Sequence, residues 1–146
     1  MKLSQLMGER PRPVVGLPSS ATTMEAATLM DAEQVESIVV LDNGRRLVGV
    51  LSERDLALAI AHRGARLFRS PIGELASVRG TTASPDDGVR AVIRVMTERR
   101  ARLIPVLDGE RIVAVVSLCD LLEARLTETV LESSVLEHLA RARLSA

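Results

Sequence analysis

The chain repeats itself, and this constrains its fold more than any other feature. Val40-Leu41-Asp42 aligns with Val106-Leu107-Asp108. At the same separation Met30 falls on Met96 and Ile38 on Ile104. Further on, the run Leu47–Ser52 falls on Ile112–Ser117, and Asp55-Leu56 falls on Asp120-Leu121. The separation changes by one residue between the two blocks, inside the turns Asp42–Arg46 and Asp108–Arg111. Turns are where single-residue length changes are tolerated. The leaders match as well, with Leu3, Leu6 and Met7 parallel to Ile72, Leu75 and Ala76. The chain therefore divides into repeat 1 at residues 1–66, repeat 2 at 67–127 and a C-terminal extension at 128–146.

Each repeat reads the same way. In repeat 2, Val89, Val92, Ile93 and Met96 have the spacing of one apolar helix face. Ser84-Pro85-Asp86-Asp87 reads as its start, with a Ser N-cap, Pro at the first helical position and acids at the positive dipole end. In repeat 1 the corresponding start, Thr22-Thr23-Met24-Glu25, has the capping-box pattern. A strand follows at Ser37–Leu41 or Leu103–Leu107, then an Asp/Asn/Gly turn and a second strand at Leu47–Leu51 or Ile112–Val116. A second helix begins after Ser52 or Ser117, and Gly64 is placed to stop the first of them.

One repeat is too small to close a good core alone. Two repeats packed sheet against sheet bury both apolar faces. The expected fold is α/β (α+β): tandem repeats, each helix–strand–strand–helix, with two small sheets stacked about a pseudo-two-fold axis and a C-terminal helix. A cleft is expected on each side of that axis.

Composition narrows the function. Lys+Arg and Asp+Glu are both 19, so the net charge is zero, without the basic excess of a duplex-binding surface. Hydrophobic residues make up 47% of the chain but aromatics only 1%, with Phe68 alone, so the core is aliphatic. One Phe is no platform for stacking single-stranded nucleic acid. The lone Cys119 allows no intramolecular disulfide and no multi-cysteine zinc site, which fits a reducing cytoplasm. No signal-peptide pattern or apolar run of bilayer length is present, so a soluble protein without a membrane partner is expected.

The densest local signal is Gly49-Val50-Leu51-Ser52-Glu53-Arg54-Asp55, echoed by Ala114-Val115-Val116-Ser117-Leu118-Cys119-Asp120. Such a Gly-apolar-apolar-Ser-x-x-Asp run closing a hairpin, given twice in register, resembles the CBS-domain pair, or Bateman module. Arg102-Leu103-Ile104-Pro105-Val106-Leu107-Asp108 looks like that family's strand before the hairpin, and Glu36–Asp42 is a looser counterpart. The likeness covers about residues 3–127. It implies a regulatory, non-catalytic module that needs no cofactor. It also implies adenosyl ligands in the clefts: AMP, ADP or ATP, with S-adenosylmethionine possible. Two modules commonly pair into a flat four-repeat disc, so a homodimer is expected, acting on an unidentified protein target in trans.

The residue chemistry suits such a ligand. A carboxylate in the first turn of a helix can accept from both ribose hydroxyls. A cap hydroxyl beside it can donate or accept, and the helix N-terminus favours a phosphate. The expected site therefore centres on Ser117 and Asp120. Backbone near Leu103 and Thr81 could read the adenine edge, Pro105 lies on the flanking strand, and Arg102 could approach phosphates. A second, degenerate site would use Ser37, Ser52, Arg54 and Asp55. It has Glu36 where repeat 2 has Arg102, and a carboxylate there repels phosphate.

A plainer reading stands beside this one. Ser-x-x-Asp is also close to a capping box, and an N-cap Ser needs no ligand to explain it. The resemblance favours ribose binding for the second motif and leaves the first balanced. On this plainer reading the chain is a ligand-free dimerisation or docking module. Cys119 at a helix start reads as a small, partly buried residue, and His62 and His138 have no metal-ligand spacing. No catalytic or metal site is expected. Residues 121–143 could form one long helix with two apolar stripes, Leu122, Leu126, Val130 and Leu131, Val135, Leu139. Its packing on its own module and an inter-subunit role are equally open.

Overall fold

A computed structural model describes residues 1–8, 14–43, 45–77 and 82–145. The elements run α1 (Leu3–Met7), β1 (Gly16–Pro18), α2 (Thr23–Glu33), β2 (Ser37–Leu41), β3 (Leu47–Ser52) and α3 (Glu53–Arg63). Two 3-10 turns follow, Gly64–Arg69 and Ile72–Glu74, and then α4 (Val89–Arg99), β4 (Leu103–Asp108), β5 (Arg111–Ser117) and α5 (Leu118–Leu144).

The two hairpins are near copies. β2 and β3 pair antiparallel from Ser37↔Ser52 and slip register between Val40 and Leu41. β4 and β5 pair from Leu103↔Ser117 and slip at the equivalent place, between Val106 and Leu107. The helices before them end alike, in left-handed caps at Gln34 (φ 52°) and Arg100 (φ 54°). Thr22 caps α2 as its sequence suggests, its hydroxyl oxygen accepting from the Glu25 N–H at 3.1 Å. Gly64, at φ 57°, takes a backbone conformation costly for other residues and ends α3.

Two local expectations change. The strand β1, which no residue pattern announces, lies parallel to β2 and makes that sheet three-stranded. In repeat 2 its counterpart shrinks to one bridge, Ala83 to Val106. The start of α4 is also later than Ser84. Its N-cap is Gly88, and Ser84–Asp87 folds as a turn, with the Ser84 N–H donating to Asp87 Oδ2 at 2.8 Å. The cause is tertiary. The Leu3 and Ser4 N–H groups donate to the carbonyls of Asp87 and Pro85, and the Val89 N–H donates to Met1. The segment before α4 is thus held by α1.

That contact belongs to an exchange of leaders. Leu3 is fully buried in the core of repeat 2, with Val89, Met96, Ile104, Val106 and Leu121. Ile72 is fully buried in the core of repeat 1, with Ala26, Met30, Ile38, Val40 and Leu51. Each leader closes the other repeat. The backbone follows suit, since Ile72 N–H donates to Ala21 and Val50 and Ser77 exchange a pair of bonds at 3.1 Å. This pairing explains Gly49: a Cβ there would lie 3.0 Å from the Ser77 carbonyl carbon and oxygen. Both cores are aliphatic, and Phe68 sits outside them, 63% exposed.

Equivalent ends of the two hairpins face each other, as a pseudo-two-fold axis requires. Arg46 pairs with Glu110 across the turns at 3.4 Å, and Arg102 pairs with Glu36 at the opposite ends at 2.6 Å. The chain crosses residue 128 inside α5 without a break in the helix.

Candidate functional site at the Ser-x-x-Asp helix starts

In both repeats the second strand of the hairpin ends on a serine that caps the next helix. Ser52 (φ −102°, ψ 162°) and Ser117 (φ −89°, ψ 155°) have the extended backbone of an N-cap. Each serine oxygen accepts from the N–H of the aspartate three residues on, at 3.1 Å in both cases. The aspartate reaches back in return. Asp55 Oδ2 accepts from the Ser52 N–H at 2.8 Å and from its hydroxyl at 2.9 Å. Asp120 Oδ2 accepts from the Ser117 N–H over a longer 3.3 Å. Both motifs are therefore reciprocal capping boxes, with Asp in the position usually taken by Glu. A carboxylate offers about four acceptor sites, so capping through Oδ2 does not by itself exhaust either group.

Ser52, Asp55, Ser117 and Asp120 are half-buried at the strand–helix junctions, each pair held together by its own box. Ser37 is buried opposite Ser52 on the hairpin, and half-buried Leu103 occupies the same place opposite Ser117. Pro105 is fully buried, and its carbonyl already accepts from the Ala83 N–H at 3.0 Å. Arg54 is exposed in the first turn of α3. Thr81 lies outside the described residues.

Arg102 is exposed, and its guanidinium is engaged by Glu36. The hydrogen bond and the charge of Glu36 raise its pKa above the ordinary arginine value, desolvation opposes the rise, and Glu53 and Cys119 add to it. Glu36 is the repeat 1 counterpart of Arg102. From sequence its carboxylate reads as an obstacle to phosphate in its own cleft. In the fold it is the partner of Arg102 across the axis. The signal for that pairing was present: residues at equivalent positions near a two-fold axis meet, and here they carry opposite charge.

A groove of about 480 Å³ opens beside this pair, between α2 and α3. Met30, Val35 and Leu56 form its apolar wall, with Asp31, Glu36 and Glu53 among its lining. Its three carboxylates disfavour a phosphate directly within it. A second hollow of about 340 Å³ at the far end of α3 is basic, lined by His62, Arg63, Arg66 and Ser70. There Arg63 is held by Glu74 at 2.8 Å and by Ser70 at 3.2 Å. Among the described residues no three potential metal ligands cluster, and no helix is long and apolar enough to cross a membrane.

Comparison with known proteins sets this geometry in context. The family model of the CBS domain matches twice, over residues 5–62 and 72–127. The chain is 31% identical over 108 residues to the CBS domain-containing protein YhcV of Bacillus subtilis, covering 74% of this chain and 76% of that one. It is 32% identical over 117 residues to an A-adding tRNA nucleotidyltransferase of Geobacter sulfurreducens, covering 80% of this chain but spanning only 13% of the enzyme. Among solved structures, the CBS domain protein PAE2072 from Pyrobaculum aerophilum, complexed with AMP, superposes with a TM-score of 0.70 at 30% identity. That match covers 82% of this chain and 89% of that one.

Proposed function

The chain belongs to the CBS domain family, and from that premise we propose that it is a regulatory module binding an adenine nucleotide at the Ser117–Asp120 helix start. The observation that carries this reading is the repeated Ser-x-x-Asp junction in a fold whose Pyrobaculum neighbour was solved with AMP. Asp120 accepts from the ribose hydroxyls, and the α5 N-terminus and Arg102 receive phosphate. AMP, ADP and ATP are the first candidates, with S-adenosylmethionine as an adenosyl alternative. The repeat 2 site fills before the Ser52–Asp55 site.

Arg102 is held by Glu36, so a phosphate must displace that carboxylate or share the guanidinium with it. Ligand binding is thereby linked to an ion pair between the repeats. The module signals only if the ligand favours one arrangement of the repeats over the other. It does so as a cytoplasmic homodimer, a four-repeat disc, acting in trans on a protein target rather than by catalysis.

A second reading rests on the capping boxes, in which both Ser-Asp pairs already satisfy each other. On that reading the module only dimerises or docks. Thermal melts separate the two, because a ligand that binds the native state alone must raise the melting temperature. The nucleotide reading expects AMP, ADP, ATP or S-adenosylmethionine to raise it in a concentration-dependent way. No shift with any of the four refutes it and leaves the docking reading.

A further inference from the structure

The family match ends at residue 127, whereas α5 continues to Leu144. Residues 129–145 are all exposed, so about 16 helical residues, roughly 24 Å at 1.5 Å per residue, stand clear of the module. A helix of that length is marginal alone in water. This one nevertheless exposes an apolar stripe, with Leu122 at 48%, Leu126 at 65%, Val130 at 55%, Leu136 at 66% and Leu144 at 88%, broken on the same face by Ser133 and Glu137. The spacing of that stripe is symmetric. Counting outward from Ser133, Val130 and Leu136 lie three residues away, Leu126 and Ala140 seven, and Leu122 and Leu144 eleven.

A stripe that reads the same in both directions is complementary to itself when reversed. Two-fold dimers are built on such self-matching surfaces, where residue i meets j and j meets i. Charge points the same way. Between residues 123 and 137 the helix carries Glu123, Glu128, Glu132 and Glu137 against Arg125 alone, whereas 138–143 carries His138, Arg141 and Arg143 with no acid. Antiparallel overlap brings the basic end of each helix beside the acidic stretch of the other, with Glu123 opposite Arg143 of the second copy, while Arg125, opposite Arg141, stays paired with Glu128 of its own helix. The opposite stripe, Leu131 to Leu139, lies on the side where Leu121 enters its own core, so a full-length helix laid along it meets the module.

We infer that α5 is an interaction surface for a second copy of this chain, the two helices packing antiparallel about Ser133. Leu122 then lies opposite Leu144, Leu126 opposite Ala140, and Val130 opposite Leu136. The inference is independent of nucleotide binding.

Cysteine cross-linking of the full chain tests it. In a Cys119→Ser background, Leu122→Cys protein is mixed with Leu144→Cys protein and mildly oxidised. The expected product is the mixed disulfide, in excess over either self-linked species, with or without AMP. Adding Val130→Glu and Leu136→Glu to both chains is expected to abolish it, whereas Val135→Glu on the other face leaves it unchanged. Self-linked products alone would mean parallel packing and overturn the inference. No cross-link at either position also overturns it, leaving the stripe to a different protein or to the chain's own module. Retained helix content in the variants excludes unfolding as the cause.

Discussion

Leu3→Ala tests the exchange of leaders, from which the interdependence of the repeats follows. Leu3 lies near the N-terminus, yet its side chain is fully buried among Val89, Met96, Ile104 and Leu121 of repeat 2. Truncating a fully buried leucine costs about 2–5 kcal/mol, from lost transfer energy and the cavity left behind. The backbone bonds from Leu3 and Ser4 to Asp87 and Pro85 remain available, so the substitution isolates the packing contribution. A loss of that size is a large share of the roughly 5–15 kcal/mol by which domains are stable. Chemical denaturation should show the loss as a lower midpoint, and amide exchange should locate it. Protection should fall first at Ile104, Val106 and Val116, ahead of Ile38, Val40 and Leu51. A loss below about 1 kcal/mol, well under the range for a buried leucine, would mean that Leu3 does not close repeat 2. So would protection falling first in repeat 1.

The remaining expectations concern the junctions. Ser52→Ala and Ser117→Ala each remove an N-cap oxygen and should each lower stability by about 0.5–2 kcal/mol in denaturation. Gly49→Ala places a methyl against the Ser77 backbone and should lower the melting temperature and weaken protection at Val50. Glu36→Gln takes the competing charge from Arg102. Calorimetry should then show tighter AMP binding and unchanged adenosine binding, and an equal effect on both would remove Arg102 from the phosphate site.

Much of this architecture was legible in the residues, and the failures share one cause. The hairpins, the Thr22 cap and the Gly64 stop depend on neighbours a few residues away, and local spacing located them. The doubled motif made the repeats visible and carried the family resemblance. Ser84 misled because its capping signal serves a turn that α1 holds from the far end of the chain. The leader exchange was hidden because Leu3 and Ile72 match each other in sequence whichever core they enter. The role of Glu36 follows only from setting the two repeats against each other, not from local spacing, since its partner Arg102 is 66 residues away. The capping boxes were legible as such, and residue pattern alone does not separate a cap from a ribose clamp.

Titration calorimetry on nucleotide-free protein separates a cap from a ribose clamp at Asp120. Asp120→Asn keeps an oxygen to accept from the Ser117 N–H while removing the charge offered to ribose. A hydrogen bond to a charged group contributes about 1.5–3 kcal/mol, which corresponds to about a tenfold to hundredfold change in affinity. Saturable AMP binding to the native chain is expected, weakened by about that factor in Asp120→Asn and little changed in Asp55→Asn. AMP binding of equal strength in the native chain and Asp120→Asn, or no AMP binding at all, would contradict a ribose clamp at Asp120.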